Sequence, residues 1–493
     1  MTEWLPVTRG ESGAGVFRNA DGSSYAKVVD AAAVADLAAE RDRVSWAHRH
    51  GVPGPAVIDW RVTEDGGACL ITSTVRGVAA DRLSESALRA AWPAIVEAVR
   101  TLHALPADGC PYRRDLDDML ARARAVGVRF VAGMVWSASL PLQVEVHGED
   151  GARRFRPRRL VVATGAFERP LPVPGWTLPG VMTTGAAQTL LRSYAVLPGR
   201  RVLVAGNGPL NLQVAGELRR AGAEIVLVAE AAHRPGAWAL GPLAAMAAAA
   251  PGLTARGAGY LARNAGRVRW GARLAAVHAE GDALGVTLDD GSRWQADAVA
   301  MGYGFLPANE LLRLLGCRHR YDPGRGHLVT ERDGQCRTSI PDVLAVGDCC
   351  GLGGAQAAEA EGAIAGAAAV GRPPDPQALR ALARQRRFQA ALWRMFAAPC
   401  NGRALADPVC RCEEVELAAI DAALAAGATS LAAIKRATRA GMGRCQGRYC
   451  GPLLAGLLHE RTGRALDEFA FFAPRPPVRP VPIGAIATAE ESP

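Results

Sequence analysis

Four cysteines near the C-terminus carry the clearest chemistry in the chain: Cys410, Cys412, Cys445 and Cys450, spaced C-x-C, then thirty-two residues, then C-x4-C. The segment between the pairs reads as two short helices, so both pairs can fold back on one centre. Four thiolates meeting at one point in a reducing compartment form a metal site. Two occupants compete. Structural zinc takes pairs spaced C-x2-4-C, and C-x-C lies outside that spacing. Four cysteine thiolates also hold a [2Fe–2S] cluster, which moves one electron at a time, and this is the expected occupant. Gly441, Gly443, Gly447 and Gly451 surround the second pair and would let backbone N–H groups reach the sulfurs. A module this small has little core, so the cluster is expected to help hold it folded.

A second set of residues has the types and order of a dinucleotide site. Arg201 to Ala205 is a buried strand, followed by Gly206-Asn207-Gly208-Pro209-Leu210-Asn211, a helix to about Ala221, a strand from Ile225 to Val228, and Glu230 at its end. Glycines let the backbone approach a pyrophosphate, the helix N-terminus favours its charge, and the acid can bind a ribose hydroxyl. Asn211 stands where the third glycine of the fingerprint belongs. Upstream, the strand Leu160 to Val162 runs into Ala163-Thr164-Gly165. Downstream, the strand from Val343 ends in Gly347-Asp348, ahead of a helix of small residues. With the βαβ unit between them, these read as the flavin side of a flavoprotein with two dinucleotide domains. The Asp348 carboxylate is positioned to accept from ribityl hydroxyls. Cys349-Cys350 is expected to be core packing, since neighbouring cysteines close only a strained ring.

A third constellation lies near the start. The loop Gly10, Gly13, Gly15 is followed by strand, Asp21-Gly22 turn, strand with Lys27, and a helix at about 32–49 with Glu40. Strand–turn–strand after the loop excludes a dinucleotide fingerprint, which needs strand–turn–helix. It fits a kinase small lobe, in which the lysine neutralises phosphate charge and the helix glutamate holds the lysine.

The elements that must position these residues fill 493 residues, enough for three or more domains. The net charge of +9 is arginine spread throughout, for only Lys27 and Lys435 are lysines, and no basic stripe with interleaved aromatics appears, so nucleic acid is not an expected partner. MTEWLPVTRGESG lacks a basic n-region and an apolar h-region, so a signal peptide is not expected. The apolar stretch from Trp238 to Ala255 is broken by Gly241, Pro242 and Pro251, so a membrane span is not expected either. The expected location is the cytoplasm, with the eleven cysteines reduced apart from any on metal.

Residues 127–493 resemble the FAD-carrying subunit of opine oxidase, hydrogen cyanide synthase and D-hydroxyproline dehydrogenase, and part of the sarcosine oxidase α-subunit. The likeness is carried by ATGAFERPLPVPGWTLPGVMTTGAAQTLL, VLVAGNGPLNLQVAGEL and CRCEEV…RAGMGRCQGRYCGPLLAGLL. The cysteine module resembles bacterioferritin-associated-ferredoxin-like [2Fe–2S] modules. Residues 1–126 resemble the N-terminal lobe of aminoglycoside 3''-phosphotransferases through LPVTRGESGAGVFRNADGSSYAKVV, LAAERDRVSWAHRHGVPGPAVIDW and GACLITSTVRGVAADRL. That second resemblance implies that Lys27 holds ATP phosphates, that Glu40 pairs with it, and that Thr72 to Val75 form the hinge near adenine. The catalytic half of the kinase is missing. The nearest string, His147-Gly148-Glu149-Asp150-Gly151, lies in a strand–turn context and is expected to be a hairpin tip.

The expected fold is α/β. It comprises a kinase-like N-lobe (1–82), a helical remnant and seam (83–126), a truncated FAD domain (127–195 and 295–371) and a Rossmann-like NAD(P)-binding domain (196–294). A linker and helix (372–406), the [2Fe–2S] module (407–471) and a proline-rich tail (472–493) complete it. The flavoprotein family opens with its own glycine unit for the ADP half of FAD. Here the kinase-like lobe stands in that place, so FAD loses its main phosphate site unless a partner compensates. The expected function is an FAD- and [2Fe–2S]-dependent oxidoreductase subunit of amine- or imino-acid-oxidising type. A second subunit would carry the substrate-oxidising site in a hetero-oligomer, and no residue of this chain is singled out as catalytic. An ATP-dependent aminoglycoside phosphotransferase and a non-functional fusion are the competing readings.

Overall fold

Alternating side chains along Ser24–Val29 and Ala68–Ser73 turn Ala26, Ala68 and Leu70 inward, the period-two pattern of a half-buried strand. In the computed structural model, which describes residues 3–7, 15–52, 54–75, 87, 123–124, 126–149, 151–169, 171–397, 406–487 and 490–491, the chain divides into two compact units, Met1–Phe130 and Val131–Pro493.

The first unit holds β1 (Trp4–Pro6), β2 (Gly15–Asn19), β3 (Ser24–Val29), α1 (Val34–Arg49), β4 (Val57–Val62) and β5 (Ala68–Ser73). The strands form one antiparallel sheet in the order β1-β2-β3-β5-β4. Leu37 of α1 packs on Ala68 and Leu70, with Val29, Val57 and Trp60 around them. The loop residues Gly10 and Gly13 lie outside the described residues, as does most of 83–126.

The second unit starts with a meander, β6 (Met134–Ser139), β7 (Gln143–Gly148) and β8 (Gly151–Phe155). Gly148 pairs with Gly151 across its β7–β8 turn, so the His147-Gly148 string is a hairpin tip. Next come β9 (Leu160–Val162), β10 (Ala166–Glu168), β11 (Val181–Thr183), α2 (Thr184–Tyr194), β12 (Arg201–Gly206), α3 (Pro209–Arg220) and β13 (Glu224–Glu230). They are followed by α4 (Leu240–Ala249), α5 (Pro251–Arg263), β14 (Val268–Trp270), the antiparallel β15 (Leu274–Glu280), β16 (Ala283–Leu288) and β17 (Arg293–Ala296), and β18 (Ala298–Gly302).

A parallel sheet in the order β11-β18-β12-β13-β14 is the nucleotide-domain core. Its strands are near-continuous apolar runs, as burial on both faces demands. This corrects the domain boundaries expected from sequence. Those boundaries put β11 and β18 in the flavin part, yet β18 pairs with β11 on one side and β12 on the other. Local sequence shows that a strand is buried but not which sheet it joins.

The flavin part keeps two two-stranded sheets, parallel β9 with β22 (Val343–Ala345) and antiparallel β10 with β19 (Phe305–Pro307). With them come α6 (Glu310–Leu314), the hairpin β20 (His319–Asp322) and β21 (His327–Thr330), and α7 (Ala355–Ala369). α8 (Pro376–Met395) starts at Asp375, whose side chain accepts from the Gln377 N–H, with proline at the first helical position. Its arginine-bearing side is exposed, while Leu382, Phe388, Ala391 and Met395 are buried, the last three against α4 and its neighbours.

The cysteine module contains α9 (Leu417–Ala425), α10 (Leu431–Thr438) and α11 (Cys450–Thr462). The expectation of little core is corrected. Ile420, Ile434, Leu454 and Leu458 are almost fully buried in one cluster that also contains Cys410 and Cys450. The proline-rich tail runs along the body of its unit, where the Val478 N–H donates to the Trp136 carbonyl. Among the described residues no helix is long and apolar enough to cross a membrane.

Candidate cofactor sites

Three short segments bring the cysteines together. Cys410 bridges to Val415 across a tight turn that holds Cys412. Cys445 lies between α10 and α11, and Cys450 is the first residue of α11. The Cys410 and Cys412 sulfurs are 4.0 Å apart, and those of Cys412 and Cys445 are 3.6 Å apart. Cys410 and Cys450 are buried, while Cys412 and Cys445 are half-buried.

The thiols differ sharply in acidity. The hydrogen bond from Cys450 holds Cys410 down to about 5, helped by the N–H groups of Gly441 and Glu413. Burial pushes Cys412 up to about 12, and the Cys445 and Cys410 charges add to the rise. Cys450 is driven well above the thiol range by its bond to Cys410 and by burial. The protein thus stabilises the Cys410 thiolate and opposes ionisation of Cys412 and Cys450, the behaviour of ligands that need a positive centre to ionise together. Among the described residues no three His, Cys, Asp or Glu side chains already surround a common point as a metal shell. The sulfurs form a chain of contacts, and the donor set suits a thiolate-held iron–sulfur centre.

Glycines shape this site in two ways. At Gly443 a Cβ would stand 2.5 Å from the Cys412 sulfur. At Gly441, Gly447 and Gly451 it would fall 2.7, 2.5 and 3.0 Å from the Phe472 ring. Of the four glycines expected to open backbone N–H groups to the sulfurs, Gly441 does so at Cys410. Together with Gly447 and Gly451 it also seats an aromatic ring. Sequence reasoning misses Phe472.

On the flavin side, β9 and β22 pair Val162 with Ala345, so their exit loops lie side by side. The first loop is Ala163-Thr164-Gly165, in which Thr164 Oγ1 donates to the Ala308 carbonyl at 2.6 Å and Gly165 has φ 71°. The second is Gly347-Asp348. One oxygen of Asp348 accepts from the Gly353 and Gly354 N–H groups at 2.8 and 2.9 Å, so it shapes the turn into α7. The Gly347 N–H donates to Glu361 at 2.8 Å, and Glu361 takes both arms of Arg332 at 2.6 and 2.8 Å. This buried pair, invisible in the sequence, fixes the loop. Among the described residues β9 pairs with β22 alone, and Val161 is 41% exposed. The residues here therefore fit the flavin-proximal half of FAD, and among the described residues no strand–turn–helix stands beside them to grip the ADP half. Cys349 and Cys350 are free and buried.

The dinucleotide loop holds itself. Glu230 is fully buried and accepts from the N–H groups of Gly208 and Ala232, both at 2.9 Å, and from Asn207 Nδ2 at 3.2 Å. Burial raises its carboxyl from the ordinary 4.5 to about 7. The same Asn207 amide donates to the Phe396 carbonyl at the end of α8, and the Phe396 ring stacks on Trp270. Two expectations are corrected here. Glu230 faces inward instead of towards a ribose, because its oxygens satisfy the loop's own donors. Asn211 is a buried tie, its Nδ2 donating to the Gly302 carbonyl at 2.8 Å and its Oδ1 accepting from Thr184 Oγ1 at 2.9 Å. Gly206 leaves no room for a side chain, since a Cβ would lie 2.1 Å from the Gly302 oxygen.

In the first unit, Lys27 Nζ stands 2.7 Å from Glu40 Oε2. Gly15 begins β2 beside the Phe17 ring, and Thr72 pairs with Tyr25 on β3.

Comparisons with known proteins bear on these sites. Residues 66–362 match the family model described as pyridine nucleotide-disulphide oxidoreductase, and residues 407–490 match the sarcosine oxidase A3 domain. An opine oxidase subunit from Rhizobium meliloti (strain 1021) is 33% identical over 429 residues, covering 78% of this chain and 92% of its own. Streptomycin 3''-kinase of Streptomyces griseus is 52% identical over 141 residues, 29% of this chain, which spans only 50% of that kinase. The crystal structure of L-proline dehydrogenase from P. horikoshii superposes with a TM-score of 0.50 at 21% identity, over 70% of this chain and 62% of that one, a likeness of fold. A family model spanning more than half of the sequence, and a relative matched over nearly its whole length, show that the chain belongs to the pyridine nucleotide-disulphide oxidoreductase family and is an oxidoreductase.

Proposed function

We propose that the chain is one subunit of an FAD- and [2Fe–2S]-dependent oxidase of amines or imino acids, working in the cytoplasm beside a second subunit that oxidises the substrate. The observation that carries this reading is the convergence of the thiols, with sulfurs 4.0 and 3.6 Å apart along Cys410, Cys412 and Cys445 and with Cys450 bonded to Cys410. The opine oxidase relative, itself named as one subunit of its enzyme, supports the substrate class and the assembly. Bound at these places, FAD supplies two-electron chemistry and the cluster supplies one-electron transfer.

The chain's own residues position these groups. Gly441 and Glu413 N–H groups favour thiolate at Cys410. Tyr449, next to Cys450, meets Phe167 edge-on with ring centroids 6.3 Å apart, and Phe167 lies two residues beyond the Ala163-Thr164-Gly165 loop. That contact ties the cysteine module to the flavin-side loop. Arg448, buried in the same region, pairs with Glu310 of α6 at 2.5 Å and fixes the module against the flavin part. Glu230 and Phe396 close the nucleotide loop, so the reading does not require NAD(P).

The test is protein purified without oxygen, with iron, acid-labile sulfide and flavin counted against chain. Iron and sulfide in equal amounts are expected, and Cys445→Ser should abolish the visible absorbance of the cluster. Colourless protein, or zinc in place of iron, would overturn the assignment.

One observation favours a second activity. The Lys27–Glu40 pair supports a phosphate-facing lysine in the first unit. Transfer to streptomycin is not expected, because His147-Gly148 is a hairpin tip and supplies no catalytic loop. Labelled phosphate appearing in streptomycin would reverse that ranking.

A further inference from the structure

A cavity of about 570 Å³ opens between the flavin-side strands and the cysteine module. Its volume lies in the range of small-molecule sites. One wall comes from Phe167, Leu306 and Pro307 on β10 and β19. The other comes from residues that flank the cysteines in the chain, Gln446 and Gly447 after Cys445 and Gly451 after Cys450.

Two properties of the lining stand out. The first is charge. Arg313, Lys435, Arg436, Arg448 and Arg475 line the cavity against one carboxylate, Glu310, and that carboxylate is already paired with Arg448. Arg313 spends its guanidinium on the Phe472 and Glu468 carbonyls. Lys435, Arg436 and Arg475 have no ion-pair partner among the described residues, so the cavity has an uncompensated positive field. The second is aromatic surface, from Phe167, Phe469, Phe471 and Phe472. Phe469 is 74% exposed, a large apolar ring left in water at the rim. The Phe472 ring is pinned on the three glycines, and Lys435 Nζ lies 5.5 Å from its centroid.

A third feature is polar. His327, in the same lining, is 2% exposed, and its Nδ1 faces the Leu328 carbonyl at 3.1 Å. Nδ1 must therefore carry the proton. Nε2 is left as a buried acceptor with no partner among the described residues. Buried acceptors are normally satisfied, and a water held in the cavity can donate to this one beside a bound ligand.

We propose that this cavity binds a planar anionic aromatic molecule, of the size and shape of a tricyclic quinone bearing a sulfonate, carboxylate or phosphate. The anionic group would meet Lys435, Arg436 and Arg475, and the ring system would lie among the phenylalanines. The proposal stands on the cavity and does not depend on the iron–sulfur reading.

The probe is anthraquinone-2-sulfonate, titrated into the full chain by calorimetry, with iron and flavin counted on the same sample. Saturable binding at one site per chain is expected, weakening as salt is raised. The neutral 2-(hydroxymethyl)anthraquinone should bind at least about tenfold more weakly. The double variant Lys435→Gln/Arg436→Gln, in the last turn of α10, should lose at least about tenfold in affinity while its melting temperature falls by only a few degrees, from the lost helix-end charges and the Lys435–Phe472 contact. Arg256→Gln, on exposed α5, should bind like the parent chain. Absence of saturable binding overturns the site. So does equal affinity for the neutral analogue, or sulfonate binding that survives the double variant, which would place the ligand elsewhere. Iron-free protein that still binds the probe would sink the cluster assignment and leave this site standing.

Discussion

Glu230 offers a quantitative test of how the nucleotide loop is held. Its carboxyl is raised from the ordinary 4.5 to about 7, chiefly by burial, against the N–H donors of Ala232 and Gly208 and the Asn207 amide. A folded-state value above the unfolded one means that the folded chain binds the proton more tightly. Stability from this group is then fully present below about 4.5 and is lost as pH rises through about 7. The gap amounts to about 3 kcal/mol in all, of which roughly 2.5 kcal/mol is spread between about pH 5 and about pH 8. Glu230→Gln removes the titration and keeps the shape. Its amide nitrogen would face one of the N–H donors, a pH-independent cost of about 1–3 kcal/mol. Thermal or urea unfolding of both proteins across that pH range should show the parent ahead at the acid end. Its lead should shrink by roughly 2.5 kcal/mol and close or reverse at the alkaline end. Taking the difference between the two proteins cancels titrations elsewhere in the chain. A lead that stays constant with pH, or grows, would refute the buried, loop-holding role of Glu230.

The same loop leads to a binding expectation: NADH or NADPH at about millimolar concentration should give no saturable quench of tryptophan fluorescence, because the Phe396 carbonyl and ring cover the loop beside Trp270. Saturation at micromolar nucleotide would show that α8 yields. Arg332→Met leaves Glu361 buried with only the Gly347 N–H and the exposed Arg386, whose guanidinium lies 3.6 Å away. It should cost about 3 kcal/mol in unfolding experiments and lower flavin content, since removing one partner strands a buried charge. A melting temperature within a degree or so of the parent's would count against that pair as the support of the Gly347 loop. Gly206→Ala sets a Cβ against the Gly302 oxygen and the Asn211 amide. Overpacking of this kind costs about 1–3 kcal/mol, and circular dichroism melts should register it.

Much of this protein was legible from local pattern. The order strand, Asp21-Gly22 turn, strand with Lys27 located the start of the first-unit sheet, and the helix bearing Glu40 begins two residues later than expected. The cysteine spacing pointed to one centre, and the sulfurs of Cys410, Cys412 and Cys445 each lie within 4.0 Å of a neighbour. The hairpin nature of the His147-Gly148 string followed from its strand–turn context. The sheet, the turn and the hairpin depend on neighbours a few residues apart, which hydrophobic period and turn residues report directly; the Cys412–Cys445 contact, 33 residues apart in sequence, needed the helices between the pairs to fold back.

Other features came from contacts between distant parts of the chain. Glu230 looked like a ribose ligand because strand–glycine–helix–strand–acid is the order of a nucleotide site. Its fate was decided by Phe396, far along the chain, which receives the Asn207 amide and closes the loop. Asn211 became a buried tie because its amide reaches Gly302. β18 joined the nucleotide sheet because β11 and β12 leave one gap that a parallel strand can fill. The local sequence determined what each segment is and which chemistry its side chains could perform. Tertiary structure decided which donors and acceptors were already satisfied, because a buried polar group must find its partner wherever the fold brings one, at any distance along the chain.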